Sequence, residues 1–277
     1  MDSDKKYILL QGGGHSIAYD DYDCFENGLK KIKEDGDKRT SKEIALDLKK
    51  RFYNNFFKKH YKNLVILTAA GTSLDNGSNK GKTRDELWYF CGNQINAFKG
   101  EIEGIENKDF FKDKDIEGLL SFIILYGKIA EDGKKAKISE LKKNLEKQIK
   151  EACDLQLDKS APAPHKTFLD KITARKPSDP RVQLFTTNYD TLFEQAANEG
   201  GFVIIDGFCF AYPLEFSGIY FDYDIVHREK TRIKQEESFV SKVFQLYKLH
   251  GSLNWERGSN NRIIQREKTN DPLIIYP

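Results

Sequence analysis

Asn63-Leu64-Val65-Ile66-Leu67-Thr68-Ala69-Ala70-Gly71-Thr72-Ser73 is the stretch that decides the fold, an apolar run that passes without alternation into small residues. Uninterrupted Leu, Val and Ile read as a strand buried on both faces, and the switch to Ala-Ala-Gly-Thr-Ser strips bulk from the chain where the strand ends. In an open α/β sheet, ligands sit beyond the carboxyl ends of the strands, and backbone amides freed of bulk suit a pyrophosphate. A corner turned for packing alone has the same composition, so this stretch leaves both readings open.

Two later stretches repeat the pattern. Arg181-Val182-Gln183-Leu184-Phe185 runs into Thr186-Thr187-Asn188-Tyr189-Asp190, and Val243-Phe244-Gln245-Leu246-Tyr247-Lys248-Leu249 runs into His250-Gly251-Ser252. Each sets polar residues at a strand end, as convergence on one cleft of a parallel sheet requires. With Ala69-Ala70-Gly71-Thr72-Ser73 and Gly77 first, Thr187-Asn188-Tyr189-Asp190 next and His250-Gly251 last, the chain resembles the sirtuin superfamily from Asn63 onward. The fold this implies is α/β, a Rossmann-like parallel sheet with helices on both faces, here carrying a helical insertion.

The resemblance implies NAD+ as substrate, while cysteines that never form a C-x-x-C pair argue against a structural zinc site, so no metal is expected. It gives Asn188 the task of orienting ribose and water, His250 that of general base, and Asp190 a contact to the nicotinamide carboxamide. Gly71, Thr72 and Ser73 would hold the pyrophosphate, Ala69, Ala70, Gly77 and Thr187 would line the dinucleotide site, and Arg84 would stand by the nicotinamide ribose. The residue types suit that chemistry. Nicotinamide leaves as a neutral molecule, so the site has to position the ribose and direct a nucleophile more than it has to protonate a leaving group. An amide both donates and accepts, and an imidazole takes a proton near neutral pH. Each residue also has a plain structural reading: Asn and Asp are favoured at helix N-caps and turns, and a His before Gly suits a turn.

Thr186-Thr187-Asn188-Tyr189-Asp190 with His250-Gly251-Ser252-Leu253-Asn254-Trp255 resembles the sirtuin-like proteins of bacterial anti-phage defence more than the deacylases. That branch implies an NAD+ glycohydrolase yielding nicotinamide and ADP-ribose, kept silent until homo-oligomer assembly, an activating partner protein or a fused sensor domain switches it on. Nucleic acid would be met only through such a partner. Many deacylases of the superfamily carry paired cysteines after the His-Gly motif, whereas Cys24, Cys91, Cys153 and Cys209 never form a C-x-x-C pair. The alternatives are an NAD-dependent protein deacylase and a non-catalytic sensor of NAD or ADP-ribose. The resemblance also implies a final strand and helix with a Gly-Tyr-Ser-Phe type motif. None follows Pro272-Leu273-Ile274-Ile275-Tyr276-Pro277, so the chain is read as part of a longer polypeptide or as completed from elsewhere.

The bulk numbers agree with a soluble α/β protein. The 277 residues are 39% hydrophobic and 32% charged, and Lys+Arg 45 against Asp+Glu 43 leaves no field to draw nucleic acid or membrane. No signal peptide or membrane span is visible, which gives a cytoplasmic expectation. Residues 1–62 read as an N-terminal extension and lead-in helix, 63–105 with 158–277 as the NAD-binding catalytic domain, and 106–157 as the helical insertion. The lead-in helix opens on a Thr40/Glu43 capping box, and its stripe Ile44, Leu48, Phe52 and Phe56 is expected on the parallel sheet. In the insertion, Ile138, Leu141, Leu145, Ile149 and Cys153 repeat at near-heptad spacing, fitting a core helix or a seam with another chain. Gly81-Lys82-Thr83 imitates the end of a Walker A loop, but its spacing fails, because Asn76 stands where that motif needs glycine. Thr191/Glu194 reads as a further capping box, Ile219 to Val226 as a strand, and Asp206 as a turn residue.

Overall fold

The computed structural model describes residues 6–31, 36–74, 80–102, 109–158, 164–176, 178–226, 240–269 and 271–274. The chain divides into two compact units, Met1–Lys62 and Asn63–Pro277.

The first unit is an antiparallel meander of β1 (Tyr7–Gly12), β2 (His15–Tyr19), β3 (Cys24–Glu26) and β4 (Leu29–Lys31), followed by α1 (Ser41–Phe57). Gly13 and Gly14 turn the first hairpin with φ of 57° and 79°, so this glycine run is a tight turn. The Thr40/Glu43 capping box forms, with the Glu43 amide donating to Thr40 Oγ1 at 3.2 Å and the Thr40 amide to Glu43 Oε2 at 2.7 Å. Ile44, Ala45 and Leu48 pack with Ile17 and Cys24. Ile44 and Leu48 of the α1 stripe, with Phe52 against them, thus belong to the core of their own unit, while Phe56 is exposed.

The second unit holds β5 (Val65–Thr68), a 3₁₀ turn (Ala70–Ser73), α2 (Arg84–Phe90), α3 (Gly92–Glu101), α4 (Asp109–Lys112), α5 (Ile116–Ile129), α6 (Asp132–Cys153) and α7 (Pro164–Thr173). Then come β6 (Val182–Thr186), α8 (Leu192–Gly200), β7 (Val203–Ile205), β8 (Leu214–Glu215), β9 (Val243–Lys248), β10 (Gly251–Ser252), β11 (Trp255–Arg257), β12 (Ile263–Gln265) and β13 (Leu273–Ile274). The central sheet runs β5-β6-β9-β7, every pair parallel, as the strand-end chemistry demands. Residues 218–222 form a 3₁₀ turn where a strand was expected.

Register sorts the sheet into two faces. Ile66, Leu184, Phe244 and Leu246 join Leu169 of α7 and Leu192, Phe193, Ala196 and Ala197 of α8 in one core. Val65, Leu67, Phe185 and Tyr247 point the other way, with Val65 60% and Leu67 69% exposed. There Phe221 stacks on Tyr247 at 4.2 Å between centroids. One expectation is corrected: β5 is an edge strand, exposed on one side. A run of apolar residues on an edge strand has the same sequence signature as one at the centre.

A second core gathers Trp88 of α2, Ile95 and Phe98 of α3, Leu119, Leu120 and Ile123 of α5, and Ile138, Leu145 and Ile149 of α6. The near-heptad stripe therefore faces helices of its own chain and is no seam. Tyr189, Leu253 and Ile274 enter this same core, joining the helical layer to the strand ends. Tyr89 and Phe90 stay outside it, 68% and 43% exposed.

The two faces give a direct test. Leu184→Ala is expected to cost about 2–5 kcal/mol and Leu67→Ala less than about 1 kcal/mol, read as urea-unfolding midpoints; equal costs would contradict the assignment of faces.

Candidate active site

The carboxyl ends of β5 and β6 lie side by side, and the two loops beyond them are tied by hydrogen bonds. Asn188 Nδ2 donates to the Ala69 carbonyl at 3.1 Å, to Thr72 Oγ1 at 3.1 Å and to Ser73 Oγ at 2.7 Å. Ser73 in turn donates to Asp190 Oδ2 at 2.6 Å, while Asp190 Oδ1 takes the Leu192 amide at 3.1 Å. Asn188, Ser73 and Asp190 thus form a relay that ends at the first turn of α8. Asp190 is buried with both oxygens engaged, and it does at the start of α8 what the Thr191/Glu194 box was expected to do. That box does not form. Gln195 donates to Thr191 Oγ1, and Glu194 is drawn away to Lys248.

Lys248 ends β9 on the core side. Its ammonium donates to Glu194 Oε1 at 3.0 Å and to the Tyr189 carbonyl at 3.3 Å, and it also meets the Asp190 carbonyl. With its side chain 2% exposed, this cation fixes the backbone on both sides of Asp190. Two residues later, His250 Nδ1 lies 3.0 Å from Glu117 Oε1, the oxygen that also accepts from Tyr189 Oη at 3.3 Å. Burial, and then the Glu117 charge, raises the Tyr189 phenol far above its ordinary value, so it stays a donor.

A cavity of about 250 Å³ opens among these groups. Ala69, Ala70, Ser73, Arg84, Thr187, Asn188 and Asp190, all expected from the sequence, line it, together with Glu117, Tyr189 and Cys153. Thr72 joins through Asn188, Gly71 lies on the same turn, and His250 stands behind Glu117 and Tyr189. Arg84 leans on the Asp113 carbonyl. Gly77 lies outside the described residues. Burial pushes the Cys153 thiol up to about 12, leaving it uncharged and a poor nucleophile at neutral pH. Among the described residues there is no cluster of three or more His, Cys, Asp or Glu able to hold a metal, and no helix long and apolar enough to cross a membrane.

Gly81 and Thr83 owe their resemblance to a phosphate loop to local packing. The Gly81 amide donates to the Ser73 carbonyl at 2.8 Å, and a Cβ at Gly81 would stand 2.5 Å from that oxygen. Thr83 forms a capping box with Glu86 at the start of α2, a T-x-x-E signal open to sequence reading. Behind the relay, buried His165 lies against the Thr72 backbone and packs edge-on to Phe193. Burial lowers its basicity, against the opposing pull of the Asp190 charge and the Thr72 contact.

Four residues of this network escape sequence reading: Glu117, His165, Glu194 in its role toward Lys248, and Lys248 itself. Only Lys248 leaves a trace. Its parity with Phe244 and Leu246 puts a cation on the core face of a strand.

Residues 182–273 match the protein family described as SIR2-like domain, a span that takes in Asn188, Asp190, Lys248 and His250. Comparison with curated proteins gave no match. The family match is compatible with an NAD-utilising enzyme.

Two measurements probe the network. Lys248→Met strands the Glu194 carboxylate and two carbonyls, and a loss of about 3 kcal/mol or more in urea unfolding is expected. His165 is held neutral, its folded value lying below the ordinary 6.5, so the unfolded chain binds the extra proton as pH falls through 6.5 and stability drops there. Unfolding midpoints between pH 7.5 and 5.5 should fall, and His165→Gln should flatten that slope.

Proposed function

We propose that this chain, whose residues 182–273 match a SIR2-like domain, hydrolyses NAD+ to nicotinamide and ADP-ribose. The observation that carries this reading is the cavity itself, lined by the small residues after β5, Asn188 and Glu117, with His250 held against Glu117 behind the wall. The chain's groups fit such a substrate. A Cβ added at Gly71 would meet nothing within 4 Å, so the backbone of the 3₁₀ turn is open to close approach by a phosphate. Asn188 spends its donors on the turn, and its Oδ1 takes no hydrogen bond among the described residues, leaving an acceptor for a ribose hydroxyl or water. We place the nicotinamide ribose here. The adenosine half extends toward the cavity of about 660 Å³ lined by Glu194, Asp206, Asn254 and Gln265 at the end of β7.

In the reaction, water adds to C1′, the bond from C1′ to the pyridinium nitrogen breaks with its electron pair passing to nicotinamide, and one water proton is released. Asn188 positions the ribose and the water, and His250 takes the proton. The Ser73–Asp190 relay holds Asn188 at one distance from the turn, which is positioning that costs no reorganisation during the step. The motif wording around Asn188 and His250 supports a role in anti-phage defence by NAD+ depletion, with activation by homo-oligomer assembly, a partner protein or a fused sensor domain.

Chromatography of NAD+ incubated with the chain is expected to show nicotinamide and ADP-ribose in equal amounts. Asn188→Ala and His250→Ala should each slow release by at least about 100-fold. Product formed only with an acetylated peptide would instead indicate a deacylase, and NAD+ bound but unchanged after plausible partners are supplied would indicate a sensor.

A further inference from the structure

Glu117 comes from the first turn of α5, in the helical segment that lies outside the span matched by the family. Its place is set by its neighbours. Asp115 caps the helix by accepting the Gly118 amide at 3.1 Å, and buried Ile116 anchors the turn in the helical core. A Cβ at position 118 would lie 2.5 Å from Asp115 Oδ2, so the glycine leaves the cap room to close. One carboxylate oxygen then meets two groups of the strand-end loops, His250 Nδ1 at 3.0 Å and Tyr189 Oη at 3.3 Å. A carboxylate accepts only, so the proton of that imidazole contact sits on Nδ1 and Nε2 carries the free lone pair.

We propose that Glu117 is the positioning residue of the proposed hydrolysis: it fixes the His250 tautomer with Nε2 as the basic nitrogen and steadies the imidazolium formed when Nε2 takes the water proton. The inference rests on the NAD+ hydrolase reading for its kinetic consequence, while the pairing stands on geometry alone. Tyr189 donates to the same oxygen and keeps the carboxylate in place. The helical segment is thereby wired into the chemistry, since any movement of α5 relative to the strand ends separates Glu117 from His250.

The test uses the whole chain with ¹⁵N-labelled histidine, the His250 signal being identified by its loss in His250→Gln. The parent is expected to show His250 protonated at Nδ1, and Glu117→Ala to move it toward the Nε2-protonated form that free imidazole favours. Glu117→Gln keeps an acceptor without the charge, so it should retain the parent tautomer while kcat for NAD+ cleavage falls about 10-fold. In Glu117→Ala kcat should fall about 100-fold, with KM within about twofold in both variants. A His250 signal indifferent to Glu117→Ala overturns the proposal, as does an unchanged kcat in both variants. A parent that never cleaves NAD+ refutes the hydrolase reading instead, and the tautomer comparison still decides the pairing.

Discussion

The buried ammonium of Lys248 is the interaction on which the site depends. It lies at the end of β9, beneath the loop that follows β6, and its donors are shared among the Tyr189 and Asp190 carbonyls and the Glu194 carboxylate. A cation taken out of water is tolerated only where its protons are matched by acceptors, and the loop supplies them in the conformation that turns Asn188 toward Ser73 and Tyr189 into the helical core. Once that loop is fixed, Asp190 closes the relay to the 3₁₀ turn, and the loops after β5 and β6 are tied together.

Polar residues at the strand ends consequently have double duties. Asn188 is both the proposed ribose contact and the clamp on the small-residue turn, and Asp190 is both a cavity wall and the acceptor at the start of α8. The plain structural reading of these residues and the chemical one describe the same hydrogen bonds. Asp206 shows the same duality at the end of β7. One oxygen takes the Phe208 amide, as a turn residue does, and the other takes Gln265 on the wall of the larger cavity.

The helical layer is more than packing. Its core encloses Tyr189 and Leu253 from the strand-end loops, and its α5 presents Glu117 to His250. Half-buried Cys153 at the end of α6 contributes an uncharged wall, so the cavity's polar groups come from the loops and from the starts of α2 and α5.

What the sequence determined by itself was whatever depends on local composition and order: parallel strands ending in small or polar residues, and the Thr40/Glu43 cap. Those signals lie within a few residues of one another, where propensity and periodicity act. Only the tertiary structure decided that β5 is an edge strand, that the near-heptad stripe of α6 faces its own chain, and that Glu194 abandons its cap for Lys248. A free backbone amide and a buried ammonium compete for one carboxylate, and the desolvated charge wins it. The pairing of Glu117 with His250 across 133 positions was likewise illegible, because an acidic residue in a first helical turn is what the helix dipole favours with or without a histidine opposite.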